Sequence, residues 1–329
     1  MNWSELDWKI LDRLRDGFLS GSAAKGAYWQ SAADLANYDF TYGERIGWKW
    51  DAVLAELRAR GWTPPDGLLL DWGCGSGIAG RRVLGAFGHN HFSGLRVWDH
   101  SPLARDFARE AACTEFPDLK AAQYAPGEPI GLLVLSHVLN ELSAEARDEL
   151  NSLIENASAV LWVEPGTHEV SRQLAALRDR FRHEFEIVAP CTHSNNCPLF
   201  TAENERHWCH FFAPAPAGIY ADSNWVRFGQ QAGVDLRSLP YSYLVLEKKN
   251  LRSAPATLPP GAGRIIGRAR VHKAHADLLA CDNTGLNDLK FFKRTNASLH
   301  KQLDRKPPLP LYHWQREDEK ITSIEPLFP

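Results

Sequence analysis

The chain has 329 residues, 44% of them hydrophobic and 23% charged, with a net charge of −3, the composition of an ordinary soluble globular protein longer than a single hydrophobic core usually supports. No run of about 18 apolar residues argues for a membrane span. Six unevenly spaced cysteines do not read as a secreted disulfide framework, so a reducing cytoplasm is expected.

In chain order, residues 1 to about 60 read as helices. "WSELDWKILDRLRDGFL" and "ERIGWKWDAVLAELRARG" place apolar residues at three-and-four spacing, and Gly61 stops the second. The first stretch lacks the basic start and apolar run of a signal peptide. "LLLDWGCGSGIAGRRVLGAFG" passes from an apolar run through a glycine loop into a helix. "GLRVWDHSPLARDFAREAA" repeats that plan, with Ser101 as helix cap and Pro102 at the first helical position. "PIGLLVLSHVLNELSAEARDELNSLI" and "AVLWVEPGTHEVSRQLAALRDRF" do so again. Four strand-then-helix units predict an α/β fold with a mostly parallel sheet covered on both faces.

The pattern changes after Phe185. A cysteine-bearing loop at 189–212 is followed by a helix around "SNWVRFGQQAG" and a strand at "YSYLVLEKK". "RSAPATLPPGAG" is a linker. Beyond it the sequence predicts two or three antiparallel strands turning at Asn283–Gly285, then a proline-rich irregular tail. The expected organisation is a helical segment at 1–62, a nucleotide-binding type domain at 63–250 and a small basic β extension with tail at 251–329. Charge follows this division: residues 1–247 total −10, Lys248 to Lys306 total +9, and 307–329 total −2. A basic segment on an acidic body is the pattern of a polyanion-binding surface.

Asp71-Trp72-Gly73-Cys74-Gly75-Ser76-Gly77 follows a strand and opens a helix, where glycines admit a ligand to the backbone. Gly75-x-Gly77-x-x-Gly80 fits a dinucleotide pattern, with Asp99 at the next strand's end for a ribose. An acid two residues before the first glycine instead resembles the first motif of class I S-adenosylmethionine methyltransferases. That resemblance implies a Rossmann-like fold and cofactor contacts from Asp71, Gly73, Gly75, Gly77, Asp99, His100 and Ser136. The fourth strand ends "LVLSHVLNEL", without the Pro-Pro-aromatic motif of amino-methylating enzymes; His137, Asn140 and Glu141 are the candidate catalytic groups.

Cys191, Cys197 and Cys209 lie on one polar loop. The C-x5-C opening is wide for a zinc finger and acceptable for an iron–sulfur cluster. His193, His207, His210 or the distant Cys281 could be the fourth ligand. "EPGT", "APC-x-H-x-x-x-CPL" at 189–199, "WCHF" at 208–211, "YSYLVL" at 241–246 and "HADLLACDNTG" together resemble the methyltransferase-like proteins associated with the mitochondrial small ribosomal subunit and their bacterial relatives. Where that family tends to have Arg-x-Pro-Ala-Thr-Tyr before the core, this chain has "ERIGWKW". The resemblance implies a [4Fe–4S] cluster on Cys191, Cys197, Cys209 and Cys281, with zinc as the alternative metal. It also implies binding to small-subunit rRNA, in the bacterial cytoplasm or the mitochondrial matrix; a monomer without a membrane segment is expected. Lys248, Lys249, Arg252, Arg264, Arg268, Arg270, Lys273, Lys290, Lys293 and Arg294 would form the phosphate-binding face, with Phe291 and Phe292 among them. A non-catalytic assembly factor and a zinc-bearing methyltransferase with another substrate are the competing expectations.

Overall fold

The computed structural model describes residues 1–20, 29–251, 258–304 and 309–328. In chain order its elements are α1 (Trp8–Ser20), α2 (Ala32–Tyr38), a π-helical turn (Asp39–Gly43), α3 (Glu44–Ala59), β1 (Gly67–Trp72), α4 (Ile78–Phe87), β2 (Phe92–Trp98), α5 (Pro102–Glu115), β3 (Ala121–Gln123), β4 (Ile130–Ser136), α6 (Ala144–Asn156) and β5 (Ala159–Pro165). They continue as α7 (His168–Phe181), β6 (Phe185–Ala189), β7 (Phe211–Phe212), α8 (Ser223–Ala232), β8 (Pro240–Lys248), β9 (Ala262–Val271), β10 (His275–Asp282), β11 (Gly285–Phe292), α9 (Ala297–Asp304), β12 (Leu311–Glu317) and β13 (Lys320–Pro326). Arg252 and most of the linker lie outside the described residues.

These elements divide between two compact units, neither of them one stretch of sequence. The first comprises Met1–Leu54, Thr63–Glu164 and Ala215–Leu239; the second comprises Ala55–Trp62, Pro165–Pro214 and Pro240–Pro329.

In the first unit the strands run β3-β2-β1-β4-β5, all parallel. β4 and β5 are buried along almost their whole length, as continuous apolar runs covered on both faces require. The strand order reverses between β1 and β4, so a ligand crevice is expected at the carboxyl ends of those two strands. Ser101 and Ser143 cap α5 and α6 through their hydroxyls, and Pro102 occupies the first turn of α5 as the sequence predicts. This is the Rossmann-like α/β arrangement expected of the class I methyltransferase fold.

In the second unit β8 pairs antiparallel with β6 and β7. Its remaining five strands close a barrel in the order β10-β11-β13-β12-β9. β11 and β13 are parallel, and α9 lies between β11 and β12 in the chain. That closed order, with a helix between third and fourth strands, is the OB arrangement. β10 alternates strictly between half-exposed and buried positions, so Ala276, Leu278 and Ala280 point inward to meet Leu289, Phe291, Trp314 and Ile324. Gly263 is obligatory because a Cβ there would lie 2.0 Å from the Trp314 ring. The barrel corrects two expectations. The two or three strands after the linker are part of a five-stranded barrel, and the proline-rich tail supplies β12 and β13.

Candidate functional site

Three successive left-handed glycines shape the turn after β1: Gly73, Gly75 and Gly77 have φ of 70°, 51° and 76°. The amides of Gly73 and Cys74 donate to the Trp98 carbonyl at 2.8 and 3.0 Å, tying the loop to the end of β2, where Trp72 and Trp98 stack with centroids 4.6 Å apart. Asp99 holds the loop from the other side. Its carboxylate accepts from the Gly75 amide at 3.0 Å and the Ser101 amide at 2.9 Å, and His100 Nδ1 lies 3.5 Å from it. Asp71 is buried and accepts from the Gly80 amide at 3.0 Å, fixing the start of α4. Burial pushes its carboxyl up to about 7, against the opposing pull of the Gly80 amide and Arg81. Asp71 Oδ1 and Ser76 Oγ are buried without a hydrogen-bond partner. The loop thus brings Asp71, Gly73, Gly75, Gly77, Asp99 and His100 into one connected group.

The neighbouring end of β4 carries the expected Ser136 and His137. Ser136 Oγ accepts from Trp50 Nε1 at 3.0 Å. His137 has φ of 58°, a left-handed conformation unusual for a residue with a Cβ. Glu164 on β5 imposes it: its Oε1 accepts from the amides of Val138 and Leu139 at 3.0 and 3.1 Å and from Trp162 Nε1 at 2.6 Å. The imidazole meets Lys49, whose Nζ lies 3.3 Å from His137 Nε2. Lys49 is 7% exposed, and burial, reinforced by Arg45 and opposed by Glu164, lowers its ammonium to about 7. Burial likewise depresses His137 and raises Glu164 and Glu141 to about 7. Asn140 is exposed, and Glu141 is half-buried beside it. Lys49, Trp50 and Glu164 were not foreseen as site residues. The available signal was "WKWD", a lysine between two tryptophans on a helix predicted to bury one face.

All four cysteines of the expected cluster belong to the second unit. Their thiols act on one another: burial raises Cys209, and Cys191, Cys197 and Cys281 push it further. Burial and Cys191 raise Cys197 to about 12, and burial with Cys191 and Cys197 raises Cys281. Two layers of backbone hydrogen bonds hold this segment. From α7, Arg178 donates to the His193 carbonyl at 2.8 Å, and Asp179 accepts from the Cys197 amide at 3.0 Å. From below, Arg60 donates to the carbonyls of Val188 and Pro190, at 2.7 and 3.0 Å, and Arg264 donates to Pro190 at 2.7 Å. Among the candidate histidines, His193 Nε2 lies 3.6 Å from Cys281 Sγ, whereas His210 stacks on Trp208. The four thiols thus come from positions far apart in the sequence and act on one another within one unit.

Arg264 is a correction to the expected phosphate-binding face. It is 2% exposed, pairs with the equally buried Glu56, and lies over the rings of Phe211 and Tyr243. On β9 it points away from the barrel core, on the side of Cys281, and there it clamps the cysteine segment instead of reaching solvent. Phe291 is likewise in the barrel core. Lys249, Arg268, Arg270, Lys273, Lys290, Lys293 and Arg294 are exposed, and Lys248 and Phe292 are half-buried. Arg268 lies over the Phe212 ring at 3.7 Å.

No curated protein matches this chain. Among solved structures it is similar to the plantazolicin methyltransferase BpumL in complex with SAH, at 13% identity over 73% of this chain and 100% of that one, with a TM-score of 0.39. It is similar to the N-methyltransferase NodS from Bradyrhizobium japonicum WM9 in complex with S-adenosyl-l-homocysteine, at 12% identity over 60% and 84%, with a TM-score of 0.36. An rRNA methylase from Escherichia coli is 13% identical over 74% and 78%, with a TM-score of 0.38. TM-scores this low leave the fold resting on the strand order itself. A family profile described as mitochondrial small ribosomal subunit Rsm22 matches residues 59–304, which takes in the glycine loop, the four cysteines and most of the barrel. The chain therefore belongs to the Rsm22 family.

Proposed function

We propose that this chain binds S-adenosylmethionine at the carboxyl ends of β1 and β4, holds a [4Fe–4S] cluster on Cys191, Cys197, Cys209 and Cys281, and works on small-subunit rRNA. The observation that carries the reading is the glycine loop pinned by Asp99 at the point where the strand order reverses, facing the ordered Ser136–Leu139 turn. Gly73, Gly75 and Gly77 let the ligand approach the backbone, Asp99 and His100 border it, and Asp71 anchors the helix beneath. When bound, the cofactor supplies an electrophilic methyl group. Lys49 and His137 then offer the site a proton acceptor, because an amine held near neutrality by burial accepts a proton at physiological pH. The cluster, when bound, cross-links the cysteine segment to β10. The family description supports the mitochondrial small ribosomal subunit as partner; the reading takes the chain as a monomer, in the mitochondrial matrix or, for a bacterial relative, the cytoplasm.

A second reading, an assembly factor that binds the cofactor without transferring its methyl group, is favoured by one feature. The only imidazole at the β4 end among the described residues is already engaged by Lys49, and Cys74 is buried, which removes it as a nucleophile. Incubation with labelled methyl donor and immature small subunits separates the two: incorporated label supports transfer, and its absence leaves the assembly reading.

Cofactor binding is tested by calorimetry with S-adenosylhomocysteine. Gly73→Val places side-chain atoms against Val138, which a Cβ alone would approach to 2.6 Å, and Asp99→Ala frees the loop. Both are expected to weaken binding by about tenfold or more. Unchanged affinity in both would move the site elsewhere.

For the cluster, anaerobically purified protein should show broad visible absorption and about four irons per chain. Cys281→Ser should lose the iron and melt at lower temperature. One zinc per chain and no colour would replace the cluster with a structural zinc site.

A further inference from the structure

The outer face of the three-stranded stretch β9-β10-β11 carries an arrangement that the cofactor crevice and the cysteines do not use. Pleating turns Arg270, Asp277 and Lys290 to the same side, and the register places them in one row, Asp277 opposite both cations. In the next row His275 stands opposite Phe292, with ring centroids 6.2 Å apart. His272, in the turn before β10, stacks on His275 at 4.6 Å and 24°. The turn is closed by its amide donating to the His275 carbonyl at 2.8 Å. Asp277 steadies both rings: His272 Nε2 is 2.9 Å from one carboxylate oxygen and His275 Nε2 is 3.6 Å from the other. Arg294 lies over Phe292 at 5.3 Å. The row of Arg270, Asp277 and Lys290 lines a cleft of about 400 Å³ together with Arg206, Asp288 and Glu319.

We propose that this face binds the unpaired bases of single-stranded RNA, with His272, His275 and Phe292 as the stacking platform and Arg270, Lys290 and Lys273 meeting phosphates. The proposal rests on the RNA reading above and specifies where and in what form the RNA is held. Three features carry it. The strand order makes this the face, with the turn between first and second strands, that OB barrels present to oligonucleotides. His272 and His275 stack within 24° of parallel, Phe292 is tilted at 46° beside His275, and the two imidazoles reach the surface, His272 50% exposed and His275 30%. Bases of any identity stack on such a platform. Finally, the exposed cations of the basic segment, Lys273, Lys293 and Arg294, border it on the same edge.

The same three groups, His272, His275 and Asp277, have ligand atoms within 4.8 Å of one another, the spacing of a divalent-cation site. One feature opposes that occupant: Asp277 is flanked in register by Arg270 and Lys290, whose charges repel a cation and attract a phosphate.

The test is fluorescence anisotropy on the full chain with a labelled single-stranded RNA of about ten nucleotides, within the span one OB barrel covers, and with the same sequence as a duplex. The wild type should prefer the single strand. His272→Ala combined with Phe292→Ala, both at exposed or half-exposed positions, should weaken single-strand binding by about tenfold or more while the melting temperature holds. Arg270→Ala and Lys290→Ala should each flatten the salt dependence by about one unit of slope. Undiminished single-strand binding by the double variant overturns the platform while leaving the RNA reading intact. No binding of any RNA by the wild type overturns both. Stoichiometric zinc uptake in calorimetry, lost in Asp277→Asn, overturns the platform in favour of a metal site.

Discussion

Lys49 lies between Trp48 and Trp50 on α3, all three side chains buried, and its amine meets an imidazole where a lysine usually finds a carboxylate. In the unfolded chain this group stays protonated to about 10.5, and in the folded chain it titrates near 7, with burial and Arg45 lowering it and Glu164 opposing. Between those values the unfolded state binds the extra proton, so this residue makes stability rise with pH across that window, by at most about 1.4 kcal/mol per pH unit. Asp71, Glu141 and Glu164 act in the opposite direction at lower pH, since their raised values cost stability as pH climbs from about 4 to 7. Lys49→Met should therefore unfold with a smaller gain in stability between pH 7 and pH 9 than the wild type, in urea titrations at each pH. Equal gains would mean that the amine is solvated and ordinary. Glycines and cysteines announced themselves through spacing. Lys49 and Arg264 did not, because burial of a charge depends on which helix or strand covers it, and a local pattern carries no record of that.

At the scale of elements, the strand-then-helix units were legible because each couples an apolar run to a capped amphipathic helix, as with Ser101 and Pro102 at α5. β3 is only Ala121–Gln123 and has no periodicity to read. β12 and β13 were missed for a different reason. The prolines before Leu311 read as an irregular end, while the strands themselves are charged on their outer positions and owe their place to β9 and β11. Ending the chain at residue 304 removes both strands, and leaves β9 and β11 each with an open edge. Amides of β9 to β11 should then exchange hydrogen at least about tenfold faster, while those of β1, β4 and β5 keep their protection. Retained protection throughout would show that the β9–β11 sheet stands without closure.

For the whole molecule, the charge division between an acidic body and a basic segment was correctly read as a sum, but the sum overstated the surface it produces. Arg264 is withdrawn into an ion pair with Glu56, so the field outside the barrel comes from fewer cations than thirteen basic residues imply. The glycine loop of the proposed cofactor crevice was legible because one short stretch builds it, whereas Lys49, Trp50 and Glu164 beside it come from other elements and were not. The proposed RNA face was not, because its rings and cations come from separate strands whose register only the barrel defines.

Each compact unit is assembled from three separated stretches of chain, and this has a consequence for synthesis on the ribosome. The β1–β5 sheet emerges early yet must wait for residues 215–239 before its unit is complete. Cys191, Cys197 and Cys209 emerge well before Cys281, and the strand bearing Cys281 is closed into its barrel only when the last strand, ending at Pro326, has been made. A nascent chain therefore exposes three thiols for the time needed to make the remainder, and a fault anywhere in the final third leaves them without their fourth companion. For the proposed cluster, completion of the polypeptide and assembly of the centre would then be a single quality-control event.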